Sequence, residues 1–124
     1  MYNDKEFKVL VGKTLSEVKV NNDTIFFNCT DGTRYQMYHS QDCCESVTVE
    51  DVCGDIEDII GSPVLVADEV TSRSNPDDVN MDDSYQDSFT WTFYKIDTAK
   101  GGVTIRWYGS SNGYYSESVD FCEV

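Results

Sequence analysis

Positive charge is what this chain has least of: 9 lysines and arginines stand against 23 aspartates and glutamates, a formal net charge of -14. Such a field repels phosphate backbones and anionic lipid surfaces, which argues against direct nucleic-acid or membrane binding and favours a basic protein as partner. Only two prolines and one histidine occur. No apolar run reaches the roughly 20 residues needed to span a bilayer. The N-terminal Met-Tyr-Asn-Asp-Lys-Glu lacks the apolar core of a signal peptide, so the expected location is the cytosol. Neither a Cys-x-x-Cys pair nor a Gly-x-Ser-x-Gly elbow is present, which removes the usual sequence marks of a zinc ribbon and of a serine hydrolase. Five cysteines in a reducing compartment are expected to stay free thiols.

What is present is a single domain of 124 residues with 40% hydrophobic and 13% aromatic content, enough to bury one core. Residues 1 to 12 read as a lead-in that forms a helical turn or covers a sheet edge. Lys13–Val20 reads as a strand, followed by turn chemistry at Asn21-Asn22-Asp23. Thr24–Cys29 is β-branched and aromatic, and the Asp31-Gly32 pair after it is the strongest hairpin signal in the chain. Arg34–Tyr38 returns with Tyr35 and Met37 on one face. Ser46–Val52 alternates polar with apolar residues, the period of a half-buried strand.

Ile56, Ile59 and Ile60 fall at helical spacing between Gly54 and Gly61, and predict one short helix with Asp55 at its positive end. Val64–Val70 is a further strand, and Thr71–Gln86 is a long loop with few core-forming residues. Ser88–Ile96 alternates so that Phe89, Trp91 and Phe93 are expected to face the core. Val103–Phe121 reads as a hairpin around the tip Gly109-Ser110-Ser111-Asn112-Gly113. The expected fold is α+β, mainly β: an antiparallel sheet of about seven strands, rolled or barrel-like, with one short helix.

Two groups of residues are candidates for function. Between Tyr35 and Tyr94 the only basic residue apart from His39 is Arg73, whereas acids are frequent. Asp55, Glu57 and Asp58, with Glu50, Asp51, Asp82 and Asp83, are the candidate protein-binding residues, since concentrated carboxylates imitate a phosphate backbone and fill a basic channel. The second group is His39, Asp42, Arg106, Tyr108, Asn112 and Tyr114. A cation, an imidazole, hydroxyls and stacking rings suit a nucleotide ligand, if the His39 segment and the aromatic hairpin form one surface. A third reading activates Cys43, Cys44 or Ser40 through His39, but neighbours in sequence seldom attain triad geometry. No metal, cofactor or catalytic residue is expected. Asp78–Asp82 begins like a calcium loop and then departs from it, because Asp83 stands where the glycine belongs.

Tyr38-His39-Ser40-Gln41-Asp42-Cys43-Cys44-Glu45-Ser46, Ile60-Gly61-Ser62-Pro63, Phe89–Tyr94 and Arg106–Ser116 resemble a small domain of unknown function found in bacteriophages and prophages, over nearly the whole chain from about Leu10. The resemblance brings no catalytic residues. It implies a mobile-element origin and an accessory role against host defences. The expected activity is accordingly non-enzymatic inhibition of a host nucleic-acid enzyme, a CRISPR effector or restriction enzyme, by mimicry of DNA. Sequestration of a nucleotide immune signal and a small Cys/His hydrolase are the alternatives.

Overall fold

The structure is a computed structural model, and it describes residues 3–21, 23–40, 45–72, 88–111 and 117–124. Among these it is mainly β and antiparallel, with nine strands: β1 (Asn3–Asp4), β2 (Leu15–Asn21), β3 (Thr24–Cys29), β4 (Arg34–Tyr38), β5 (Glu45–Gly54), β6 (Val66–Ser72), β7 (Ser88–Thr98), β8 (Gly101–Ser111) and β9 (Asp120–Glu123). They form two sheets, in the orders β1-β9-β4-β3-β2 and β5-β8-β7-β6. The expected single rolled sheet is therefore replaced by two open sheets that pack face to face over one core.

Alternation dictates that core. Ile25, Phe27 and Cys29 of β3, Tyr35 and Met37 of β4, and Phe121 of β9 point inward from the first sheet. Val47 of β5, Tyr94 and Ile96 of β7, and Val103, Ile105 and Trp107 of β8 meet them from the second. The Trp107 indole donates to Met37 Sδ at 3.2 Å, tying the layers together at their centre. Phe7 seals one side, with its ring centroid 4.7 Å from that of Tyr94 and 5.3 Å from that of Phe121, both edge-on.

The lead-in fulfils both expectations for it: β1 pairs with β9 at the sheet edge, and Phe7–Leu10 forms a 3-10 turn. The Asp31-Gly32 turn also forms where predicted. Asp31 Oδ1 accepts from the backbone N–H and the hydroxyl of Thr33, and Gly32 takes a φ of +90°.

Three local expectations are overturned. The predicted short helix is a single 3-10 turn, Ile56–Ile59. Ile60 and Pro63 bridge to Leu15 and Thr14 of the first sheet, which requires extended backbone and leaves no room for a second helical turn. On β7 the core face is Thr92, Tyr94 and Ile96, not Phe89, Trp91 and Phe93. A strand apolar on both faces does not declare its inner one. Register decides it, because Tyr94 lies opposite Ile105 and Ile96 opposite Val103.

Val103–Phe121 is not a paired hairpin either. Both edges of β8 are already occupied, by β5 and β7, so the chain crosses to the other layer, where β9 pairs with β4 and β1. The long loop expected at Thr71–Gln86 lies outside the described residues from Arg73 onward.

Candidate functional site

The acidic candidates gather where β5 ends and the second 3-10 turn begins. Asp55 caps that turn, its carboxylate accepting from the Glu57 N–H at 3.0 Å. Thr98 donates to the Asp58 carbonyl and Lys100 Nζ to the Ile60 carbonyl, so the turn is pinned to the β7–β8 connection. Asp55 and Glu57 are exposed. Among the described residues no cation lies within ion-pair distance of Asp55, Glu57 or Asp58, whereas most of the lysines and arginines are engaged.

Glu50 and Asp51 belong to a different arrangement. They sit at a bulge in β5 and hold Arg106: Glu50 accepts from its Nε at 2.5 Å, and Asp51 lies 4.0 Å from its Nη2. Asp82 and Asp83 lie outside the described residues.

Arg106 and Tyr108 share the outer face of the second sheet. The guanidinium lies 5.4 Å from the centre of the Trp91 ring, and Tyr108 packs on Trp91 at 4.7 Å and on Phe89 at 6.1 Å. Trp91 is fully buried although it points away from the core, and this cluster supplies the reason.

His39 sits elsewhere, at the end of β4 and on the inner side of the layers. Its Nδ1 donates to the Ser118 carbonyl at 2.7 Å, since a carbonyl only accepts, and this turns Nε2 toward Glu45 Oε2 at 3.8 Å. The His39 and Glu45 side chains are only 4% and 2% exposed. Glu45 lies opposite Ser111 in the β5–β8 ladder, and Glu117 completes the group by accepting from the hydroxyls of Ser111 at 2.5 Å and Thr90 at 2.7 Å.

The His39 segment and the Gly109–Ser111 end of β8 therefore do meet, through buried carboxylates and hydroxyls. His39 does not share a face with Arg106 and Tyr108. Asp42, Asn112 and Tyr114, with Cys43 and Cys44, lie outside the described residues. The space beside Gly109, which would admit a ligand, is filled by the chain itself: a Cβ there would lie 2.7 Å from the Glu117 carbonyl.

Sequence reasoning missed Glu117, Thr90 and Ser111 as a unit. The one available signal was a lone acid among the serines 110, 111, 116 and 118. Cys29, Cys53 and Cys122 are free thiols, and burial raises the pKa of Cys29 above its ordinary value. Cys53 lies at the far end of β5 from the His39–Glu45 pair, so this thiol and the imidazole do not converge. Among the described residues no cluster of three or more metal-ligand types forms, and no helix is long and apolar enough to cross a membrane.

No curated protein and no solved structure matches the chain. A family model does, over residues 8–121, and it covers the acidic turn, the His39 end and the Arg106 face alike. The chain thus belongs to the family described as Domain of unknown function (DUF7448).

Proposed function

We propose that this protein is a non-enzymatic inhibitor that docks by its carboxylates onto a basic, nucleic-acid-binding surface of another protein. One observation carries the reading: Asp55 and Glu57 are exposed on a turn capped by Asp55 and tied to the β7–β8 connection by two hydrogen bonds, and they have no cationic partner among the described residues. Carboxylates on a rigid support lose little conformational entropy when a partner's lysines and arginines meet them, and the net field of a chain at -14 steers such a partner in. The non-enzymatic part rests on the His39 end, where the imidazole is buried and the Ser111 and Thr90 hydroxyls already donate to Glu117. The phage resemblance narrows the partner to a host defence enzyme that handles nucleic acid, and the inhibitor to a DNA mimic.

Phage plating on host strains that each carry one defined restriction or CRISPR system tests this. Expression of the protein should restore plating against at least one system. The triple variant Asp55→Lys, Glu57→Lys, Asp58→Lys should lose that effect while keeping the wild-type circular dichroism spectrum. Binding to the affected enzyme should weaken as salt rises, because exposed charge pairs are screened beyond about 10 Å at 0.1 M. Full activity of the charge-reversed protein, or no rescue in any strain, refutes the reading.

A further inference from the structure

A cleft of about 490 Å³ opens at the side of the molecule where the first 3-10 turn, β6 and β9 come together. Its volume is within the range of small-molecule sites. Phe7, Val119 and Phe121 line it with apolar surface, and Glu6, Glu69 and Asp120 bring carboxylates to it. Tyr94 stands behind them: its hydroxyl donates to Glu69 Oε2 at 2.6 Å, and its ring packs on Phe7. Burial, and after it the bond to Glu69, holds the phenol of Tyr94 far above its ordinary pKa, so this hydroxyl stays a donor.

No cation lies within ion-pair distance of Glu69 or Asp120 among the described residues. Two lysines do line the cleft. Lys5 is turned to Glu123 at 4.0 Å, and Lys8 is exposed on the 3-10 turn. Glu6 also lines the cleft and has no ion pair among the described residues, so the cleft joins three carboxylates, of which Glu69 and Asp120 lie beside its apolar walls.

We infer that this cleft is a binding site for an organic cation, a guanidinium or alkylammonium group whose charge meets Glu69 and Asp120 while its methylenes lie on Phe7, Val119 and Phe121. Carboxylates bind such groups through charge-assisted hydrogen bonds, and aromatic walls favour a cation with a weak hydration shell over a small metal ion. Two sources offer this chemistry, an arginine or lysine side chain of a partner protein and a free polyamine. The site uses none of Asp55, Glu57 or Asp58, so it stands or falls independently of the function proposed above.

The test is an NMR titration of the ¹⁵N-labelled full chain with agmatine, with spermidine and, as the anionic probe, with inorganic phosphate. Saturable shifts of the Phe7, Val119 and Phe121 amides are expected with the cations and not with phosphate. Glu69→Gln preserves an oxygen for Tyr94 to donate to, and Asp120→Asn preserves shape, so both variants should fold. Each should weaken cation binding about tenfold, equivalent to about 1.4 kcal/mol, while Lys8→Ala should not weaken it. Tighter binding of agmatine points to a partner's arginine, and tighter binding of spermidine to a free polyamine; both support the site. Overturning results are no saturable shift with either cation, unchanged binding in both carboxylate variants, or phosphate binding that Lys8→Ala abolishes.

Discussion

The two ends of strand β5 carry the same functional group in opposite circumstances. At its start, Glu45 is buried beside His39, and Glu117 across the layer takes two hydroxyl donors. Just past its far end, Asp55 and Glu57 stand in solvent, and apart from the backbone N–H that Asp55 caps, their oxygens have no hydrogen-bond partner among the described residues. A buried carboxylate must have its partners supplied by the fold, because desolvating the charge otherwise costs several kcal/mol. An exposed one costs almost nothing to keep and remains available to another molecule. Acid content alone therefore does not mark a binding surface. Burial separates Glu45 and Glu117, whose partners the fold supplies, from Asp55 and Glu57, which it leaves in solvent.

The largest expected effect comes from breaking the buried end. Glu117→Ala leaves the hydroxyls of Ser111 and Thr90 without this shared acceptor, and should lower unfolding free energy by roughly 2–4 kcal/mol, read from the midpoint of urea denaturation. Glu117→Gln keeps an acceptor oxygen and should cost about half as much. If Glu117→Ala unfolds at the wild-type midpoint, the buried end is not held as described, and the contrast between the ends fails.

Sequence showed more of the exposed end than of the buried one, for a physical reason. Asp55 and Glu57 stand in a stretch where acids are frequent and bases almost missing, so charge distribution located them at once, even though the helix beside them proved to be a single 3-10 turn. The strands were legible wherever one face was apolar, as in β3 and β4. They were ambiguous in β7, where Trp91 and Tyr94 both end buried on opposite faces. The crossing from β8 to β9 depends on which strand edges are already taken, which is a property of the whole sheet and not of residues 103–121. The Glu45, Glu117, Ser118 and His39 group unites residues up to 79 positions apart, and no local pattern announces such a meeting. The cleft at Glu69 and Asp120 was invisible for the same reason.

A smaller effect is expected at the exposed end. Asp55→Ala removes the side-chain cap on the 3-10 turn and should cost about 0.5–1 kcal/mol in the same urea experiment, with Asp55→Ser recovering most of it. A loss as large as that from Glu117→Ala would show that the acidic turn is itself a structural element, and would sharpen the comparison against a binding role for Asp55.

The smallest effect belongs to an exposed carboxylate that does have a cation. Asp31 accepts from Lys13 Nζ at 2.7 Å and from Thr33, and these hydrogen bonds, the Lys13 bond first, hold its carboxyl well below the ordinary value of 3.8. With the folded pKa depressed, the unfolded state binds the extra proton between the two values, so the contribution is fully present above about pH 5 and fades as pH falls through 3.8 and below. The bond to Asp31 raises the Lys13 pKa, so on the alkaline side the contribution is lost as pH rises past 10.5. Stability of wild type minus Asp31→Asn should therefore form a plateau from about pH 5 to about pH 10 that falls away on both sides. Asp31 is exposed, so the plateau should be low and should shrink in 0.5 M salt. A difference that ignores pH would mean the pair contributes nothing through charge, leaving the β3–β4 turn to its backbone geometry alone.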